Sequence, residues 1–155
     1  MKAQLFRGEL HYAGVMLHTA ASGPVTALDT LWLRLEDQGV TGIGEVRLNI
    51  RYLHGYSEEQ VLNNLLQILS RWDWRRQPAA LLTALDDEDP TLLPPSRMVL
   101  DMALHDLLAR QEGISVAAWL GAQAGLPAWR TNQTLFWSSA SRMLEQAQRY
   151  VERGF

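Results

Sequence analysis

PSRMVLDMALHDLLARQEG, residues 95–113, decides how the rest of the chain is read. Pro94, Pro95 and Ser96 supply helix-start chemistry, apolar residues then recur at helical spacing, and Gly113 suits a left-handed C-terminal cap. The stretch is therefore expected to be a helix. At about 100° per residue, Arg97, Asp101, His105 and Glu112 fall on one narrow stripe. Met98, Val99, Leu100, Met102, Ala103, Leu104, Leu107 and Leu108 cover most of the remainder, which predicts a mostly buried helix. Asp106 projects between Val99 and Met102 on the apolar side, where an unpaired carboxylate is costly. It requires a partner, either Arg110 one turn later in the favourable acid-then-base order or a group elsewhere in the fold.

On the C-terminal side, Ser115 to Leu120 fits a short helix, and a Gly- and Ala-rich connection leads to Pro127. RTNQTLFW (130–137) then reads as a strand with Thr134 and Phe136 on one face. SSASRMLEQAQRYVERGF follows as a helix capped near Ser139 or Ser141 and stopped by Gly154, so this end is half of a βα repeat. On the N-terminal side, Pro78 to Leu85 predicts a helix before the acidic turn DDEDP. Ser57 with Gln60 forms a capping box ahead of Val61, Leu62, Leu65, Leu66, Ile68 and Leu69, one apolar helix face. Leu31, Leu33 and Leu35 alternate with Trp32, Arg34 and Glu36, Asp37-Gln38-Gly39 offers a turn, and Val40 to Val46 resumes as a strand: a β-hairpin. Residues 4–13 read as a first strand, while 15–27 and 47–56 read as irregular loops, expected to be the least ordered internal segments.

Composition bounds the function. A chain of 155 residues that is 47% hydrophobic and carries six Trp can bury a core, so disorder is not expected. The lack of cysteine excludes disulfides, thiolate metal sites and a cysteine nucleophile, and fits a reducing compartment, with the cytoplasm as the expected location. No apolar run approaches the roughly 18 residues of a membrane span, and the N-terminus has no signal-peptide pattern, so no membrane role is expected. A net charge of -3 with dispersed arginines leaves no basic footprint for nucleic acid.

Four segments in this order, GIGEV (42–46), GYS (55–57), MALHDLLARQEGISVAAWLG (102–121) and TNQTL (131–135), resemble the mandelate racemase and muconate lactonizing enzyme group of the enolase superfamily. The resemblance implies an α+β fold: a three-stranded antiparallel sheet followed by a helical bundle, the enolase N-terminal-like capping domain, and then the start of a TIM-type (β/α) barrel. It assigns 1–126 to the capping domain and 127–155 to the first strand and helix of a truncated barrel domain. The implied activity is abstraction of the α-proton of a small carboxylate substrate by a racemase, epimerase, dehydratase or cycloisomerase, with Mg2+ meeting the charge that develops. The implied partners are that substrate, the missing barrel domain of the same chain and, because such enzymes are often oligomers, a second copy. A stand-alone, non-catalytic α+β binding module is the alternative.

The resemblance places the metal-binding carboxylates and the Lys-x-Lys pair of such enzymes on barrel strands beyond Phe155, and the only lysine here is Lys2. No catalytic residue and no metal ligand is therefore assigned, and the 155-residue portion alone is expected to be inactive. His11, His18, His54 and His105 show no metal-ligand spacing, and DDED (86–89) reads as a solvated charge run. What the resemblance does place here are the substrate-specificity loops at 15–26 and 47–56, with His18, Thr19, Asn49, Arg51, Tyr52 and His54 as candidate contacts. Ser138 is the candidate at the barrel mouth. Glu45 is expected to hydrogen-bond the neighbouring loop, and Met143, Leu144, Ala147 and Val151 are expected to leave an apolar stripe open to self-association.

Overall fold

A two-residue turn organises the sheet: Gln38 (φ 50°) and Gly39 (φ 80°) both occupy the left-handed region, the geometry that matches the twist of a tight hairpin. The computed structural model in which it is seen describes residues 1–11, 17–19, 23–87, 91–122, 131–136 and 138–155. Strands β1 (Lys2–His11), β2 (Leu17–Thr19), β3 (Gly23–Val25), β4 (Ala27–Asp37) and β5 (Val40–Arg47) come first. Helices α1 (Arg51–His54), α2 (Glu58–Arg71), α3 (Pro78–Asp87), α4 (Pro94–Gln111), α5 (Val116–Trp119) and α6 (Ala140–Glu152) follow. The chain divides into two compact units, one of residues 1–10 and 28–124 and the other of 11–27 and 125–155.

In the first unit, β1, β4 and β5 form an antiparallel sheet in that order, with β4 central. The β4–β5 register runs from Asp37 opposite Val40 to Thr30 opposite Arg47. Alternation sends Leu31, Leu33 and Leu35 inward, where they meet Val61, Leu65 and Ile68 of α2, Leu81 and Leu85 of α3, and Val99, Leu100, Ala103, Leu104 and Leu107 of α4. α4 lies directly on β5. A Cβ added at Gly44 would stand 2.0 Å from the Val99 carbonyl oxygen, and one at Gly42 would stand 2.5 Å from that of Ala103. Only glycine lets helix and strand backbones approach this closely. Across the layers, Arg7 of β1 pairs with Asp29 of β4, and its Nη2 donates to Glu58 of α2 at 2.8 Å.

The helix ends follow local chemistry. Ser57 and Gln60 complete the capping box at the start of α2, with bonds of 2.8 and 3.2 Å. α4 begins with two prolines and has no side-chain cap of its own. Asn64 of α2 serves its approach instead, accepting from the Leu93 N–H at 3.0 Å and donating to the Thr91 carbonyl at 2.8 Å. At its end Gly113 is left-handed (φ 70°) and the Ile114 N–H donates to the Ala109 carbonyl at 3.0 Å, a Schellman cap.

Several expectations change. α4 is less enclosed than its composition predicts, since Met98 and Met102 are 45% and 42% exposed. They share an i, i+4 row with Asp106, and that row flanks the buried face instead of belonging to it. Asp106 is accordingly at the margin of the packed layers, where Arg110 Nε and the Ile43 N–H both donate to its carboxylate at 2.9 Å. The second donor is an outward-facing backbone group of the edge strand β5, so this carboxylate also blunts a sheet edge. The expected loop at 47–56 contains the single turn α1, closed by Gly55 (φ 84°).

In the second unit, the expected irregular loop at 15–27 contains a small antiparallel hairpin, with Leu17 opposite Val25, His18 opposite Pro24 and Thr19 opposite Gly23. Three-residue strands there satisfy one another's backbone groups. Ser139 caps α6, whose end at Gly154 (φ 85°) repeats the left-handed stop of α4, the Phe155 N–H donating to the Tyr150 carbonyl at 2.9 Å. Residues 131–136, expected as a strand, belong to no regular element. A strand exists only through hydrogen bonds to a neighbour, and the described residues supply none here. Residues 127–130, Trp137 and the acidic turn at 88–90 lie outside the described residues.

Candidate functional site

The segment from Arg47 to Tyr56 is tied at both ends and exposed between them. At its start, Arg47 is the last residue of β5, opposite Thr30, and the next residue, Leu48, is fully buried, its N–H donating to the Asp29 carbonyl at 2.8 Å. At its end, Tyr56 packs against the core. Between these anchors α1 folds because the Leu53 N–H reaches the Ile50 carbonyl and the Gly55 N–H reaches that of Arg51, at 2.8 and 2.7 Å. A single turn buries nothing of its own, and it displays Arg51, Tyr52 and Leu53 to solvent, Leu53 being 69% exposed.

His54 is the most constrained of these side chains. The Tyr56 N–H donates to its Nδ1 at 3.1 Å, and the two rings lie 5.8 Å apart. Nδ1 thus serves as an acceptor, and Nε2 is the ring's other nitrogen. That Nε2 is buried and has no hydrogen-bond partner among the described residues. The same holds for Nε of Arg47, a residue that the sequence reading passed over because it looks like an ordinary strand-end arginine.

Of the residues predicted from sequence, Asn49, Arg51, Tyr52 and His54 thus share one short, anchored segment of the first unit, Asn49 being half-buried. His18 and Thr19 are on β2 of the second unit, and their side chains lie outside the described residues. Ser138, half-buried, directly precedes the Ser139 cap of α6.

Other polar groups that invite a functional reading are engaged structurally. Glu45 accepts from the Trp32 indole on the paired strand at 3.2 Å, not from the neighbouring loop as expected, because the register places the two residues opposite each other. His105 accepts the Trp119 indole N–H at Nδ1 (3.0 Å) and has Asp101 Oδ1 3.5 Å from Nε2, which fastens α5 to α4. Among the described residues no three His, Asp or Glu side chains converge in a way that could hold a metal ion. No described helix is long and apolar enough to cross a membrane.

No family model and no curated protein matches the chain. Solved structures do. The L-Ala-D/L-Glu epimerase from Bacillus subtilis, in a substrate-liganded complex, superposes with a TM-score of 0.73 at 20% identity, over 100% of this chain and 43% of that one. The dipeptide epimerase from Cytophaga hutchinsonii, complexed with Mg and D-Ala-L-Val, gives 0.74 at 18% identity over 99% and 41%. A mandelate racemase/muconate lactonizing enzyme-like protein from Silicibacter pomeroyi gives 0.72 at 18% over 99% and 41%. This chain has the fold of the matching part of these structures, a three-stranded antiparallel sheet followed by helices. The chain spans about two fifths of the length of the solved structures it matches, 41% to 43% for these three.

Proposed function

We propose that this chain is the N-terminal part of a metal-dependent enzyme that removes the α-proton of a carboxylate substrate, with epimerisation or racemisation as the favoured outcome. The observation that carries the proposal is the superposition of essentially the whole chain on the corresponding part of dipeptide epimerases, at TM-scores of 0.73 and 0.74. In this reading residues 1–126 cap the active site, and 127–155 begin the barrel domain that carries the chemistry. The segments 15–26 and 47–56 choose the substrate, through His18, Thr19, Asn49, Arg51, Tyr52 and His54, with Ser138 at the barrel mouth.

A divalent metal supplies, when bound, the positive charge that meets the developing enediolate. The described residues of this chain do not bring together a donor set for one, so no step is assigned to them through it. Their contribution is to bind, to orient and to exclude water. The test is wash-in of deuterium at the α-carbon, followed by proton NMR with magnesium present, over a panel of carboxylic acids that includes dipeptides. The complete product of the reading frame should exchange at least one of them, and residues 1–155 alone should exchange none. Metal-dependent exchange by the 155-residue chain would show that the chemistry has been put in the wrong part of the protein. A complete product that exchanges none would favour the binding-module alternative.

A further inference from the structure

Little holds α5 on the fold. It buries no side chain, Val116 and Trp119 being half-buried and Ala117 and Ala118 exposed, and it is bracketed by the left-handed residues Gly113 (φ 70°) and Gly121 (φ 88°). A polar tie joins it to α4: the Trp119 indole N–H donates to Nδ1 of His105 at 3.0 Å. An indole N–H can only donate, so this bond needs a lone pair on Nδ1. The other ring nitrogen, Nε2, stands 3.5 Å from Asp101 Oδ1, one turn earlier on α4. One ring thus has two partners with opposite requirements, since the indole needs Nδ1 unprotonated and the carboxylate favours a protonated ring.

The other charged groups of the surroundings are placed elsewhere. On α4, Arg97 and Glu112 share the stripe of His105 but lie about two turns away, and Asp106 bonds Arg110. α5 has no titratable side chain, and neither has the described part of α3, residues 78–85. β5 and α2 meet α4 on other faces, β5 at Val99, Ala103 and Leu107 and α2 at Ser96.

We propose that His105 is a proton-operated latch for α5. While the ring is neutral it accepts the Trp119 indole, and α5 is closed on α4. The His105 side chain is 22% exposed, so a proton can reach it from solvent. Bound at Nδ1, that proton sets two N–H groups against each other and breaks the tie, while the carboxylate of Asp101, at i, i+4 spacing, holds the cationic ring. The latch is present on the alkaline side and is lost as pH falls. A released segment of four residues does not stand as a helix in water, so opening frees the backbone amides of 115–121 to exchange.

The test is hydrogen–deuterium exchange of the complete product of the reading frame, read by mass spectrometry on peptides covering 114–122 and 99–108 and corrected for the intrinsic pH dependence of exchange. Between about pH 8 and about pH 5, the span in which histidine changes charge, uptake in 114–122 should rise about three- to tenfold, the weight of one net hydrogen bond. Uptake in 99–108 should stay unchanged. His105→Asn, whose Oδ1 can accept the indole N–H at any pH, should keep 114–122 closed throughout. Trp119→Phe retains an aromatic ring but loses the donor, and should leave the segment open at both ends of the range. Asp101→Asn removes the charge that favours the protonated ring and should move the opening to lower pH. The proposal is overturned by uptake in 114–122 that does not change with pH, or by a pH response that survives His105→Asn. A parallel rise in 99–108 would overturn it too, since the opening would then be part of general unfolding.

Discussion

Gly44→Ala is the most direct test of how the layers fit. The added methyl would sit 2.0 Å from the Val99 carbonyl oxygen and 2.9 Å from the Ala103 amide nitrogen, both backbone atoms of α4. A flexible side chain could turn aside; a helix backbone pinned by Val99, Leu100, Ala103, Leu104 and Leu107 cannot. Relief requires α4 to move off β5 by about 1 Å, and a gap of that size forfeits a quarter to a half of each contact well. The four large side chains of that group are each stabilised by roughly 2 kcal/mol through burial, so the loss comes to about 2–4 kcal/mol. That is a large part of the roughly 5–15 kcal/mol available to a domain. The control is Gly39→Ala, where nothing lies within 4 Å of the added methyl and only the left-handed φ of +80° resists, at about 1–2 kcal/mol. Urea unfolding followed by tryptophan fluorescence should give a much lower midpoint for Gly44→Ala than for Gly39→Ala. Equal midpoints, or a Gly44→Ala protein within 1 kcal/mol of the parent, would refute the reasoning.

Asp106→Leu strands the edge amide of Ile43 and the Arg110 guanidinium and should cost about 1–3 kcal/mol in the same assay, while Asp101→Leu, whose side chain is 50% exposed, should cost less than half as much. Arg7→Met removes the link from β1 to Asp29 and Glu58; because Arg7 is 47% exposed the loss should be about 1 kcal/mol or less, and should shrink in 1 M salt. Those carboxylates raise the Arg7 pKa above its already high ordinary value, so its contribution, present below the unfolded pKa and lost only above the folded one, should stay constant over any practical pH range. Amide hydrogen exchange should be fast through α1, which buries no side chain, and slow at Val99 to Leu108; comparable protection in the two would mean that α1 is a fixed part of the core.

The features legible in the sequence are those set by a few neighbouring residues. Gln38-Gly39 must turn, Ser57 with Gln60 must start a helix, Gly113 and Gly154 must end one, and the alternation of Leu31, Leu33 and Leu35 must face a core, because each depends on local backbone preference or on a period of two. Tertiary structure alone decided what depends on a second element. Gly42 and Gly44 are spacers for α4, Asp106 serves the edge of β5, and Met98 and Met102 are left outside, all because α4 crosses β5 at one particular rotation. Helical period makes a stripe visible but not which of its margins a neighbouring strand will cover. The same limit explains 131–136, whose composition is that of a strand but whose hydrogen bonds would have to come from elsewhere. It explains Arg47 as well: a charged residue closing a strand is ordinarily solvated, and only the folded structure makes its Nε a buried donor.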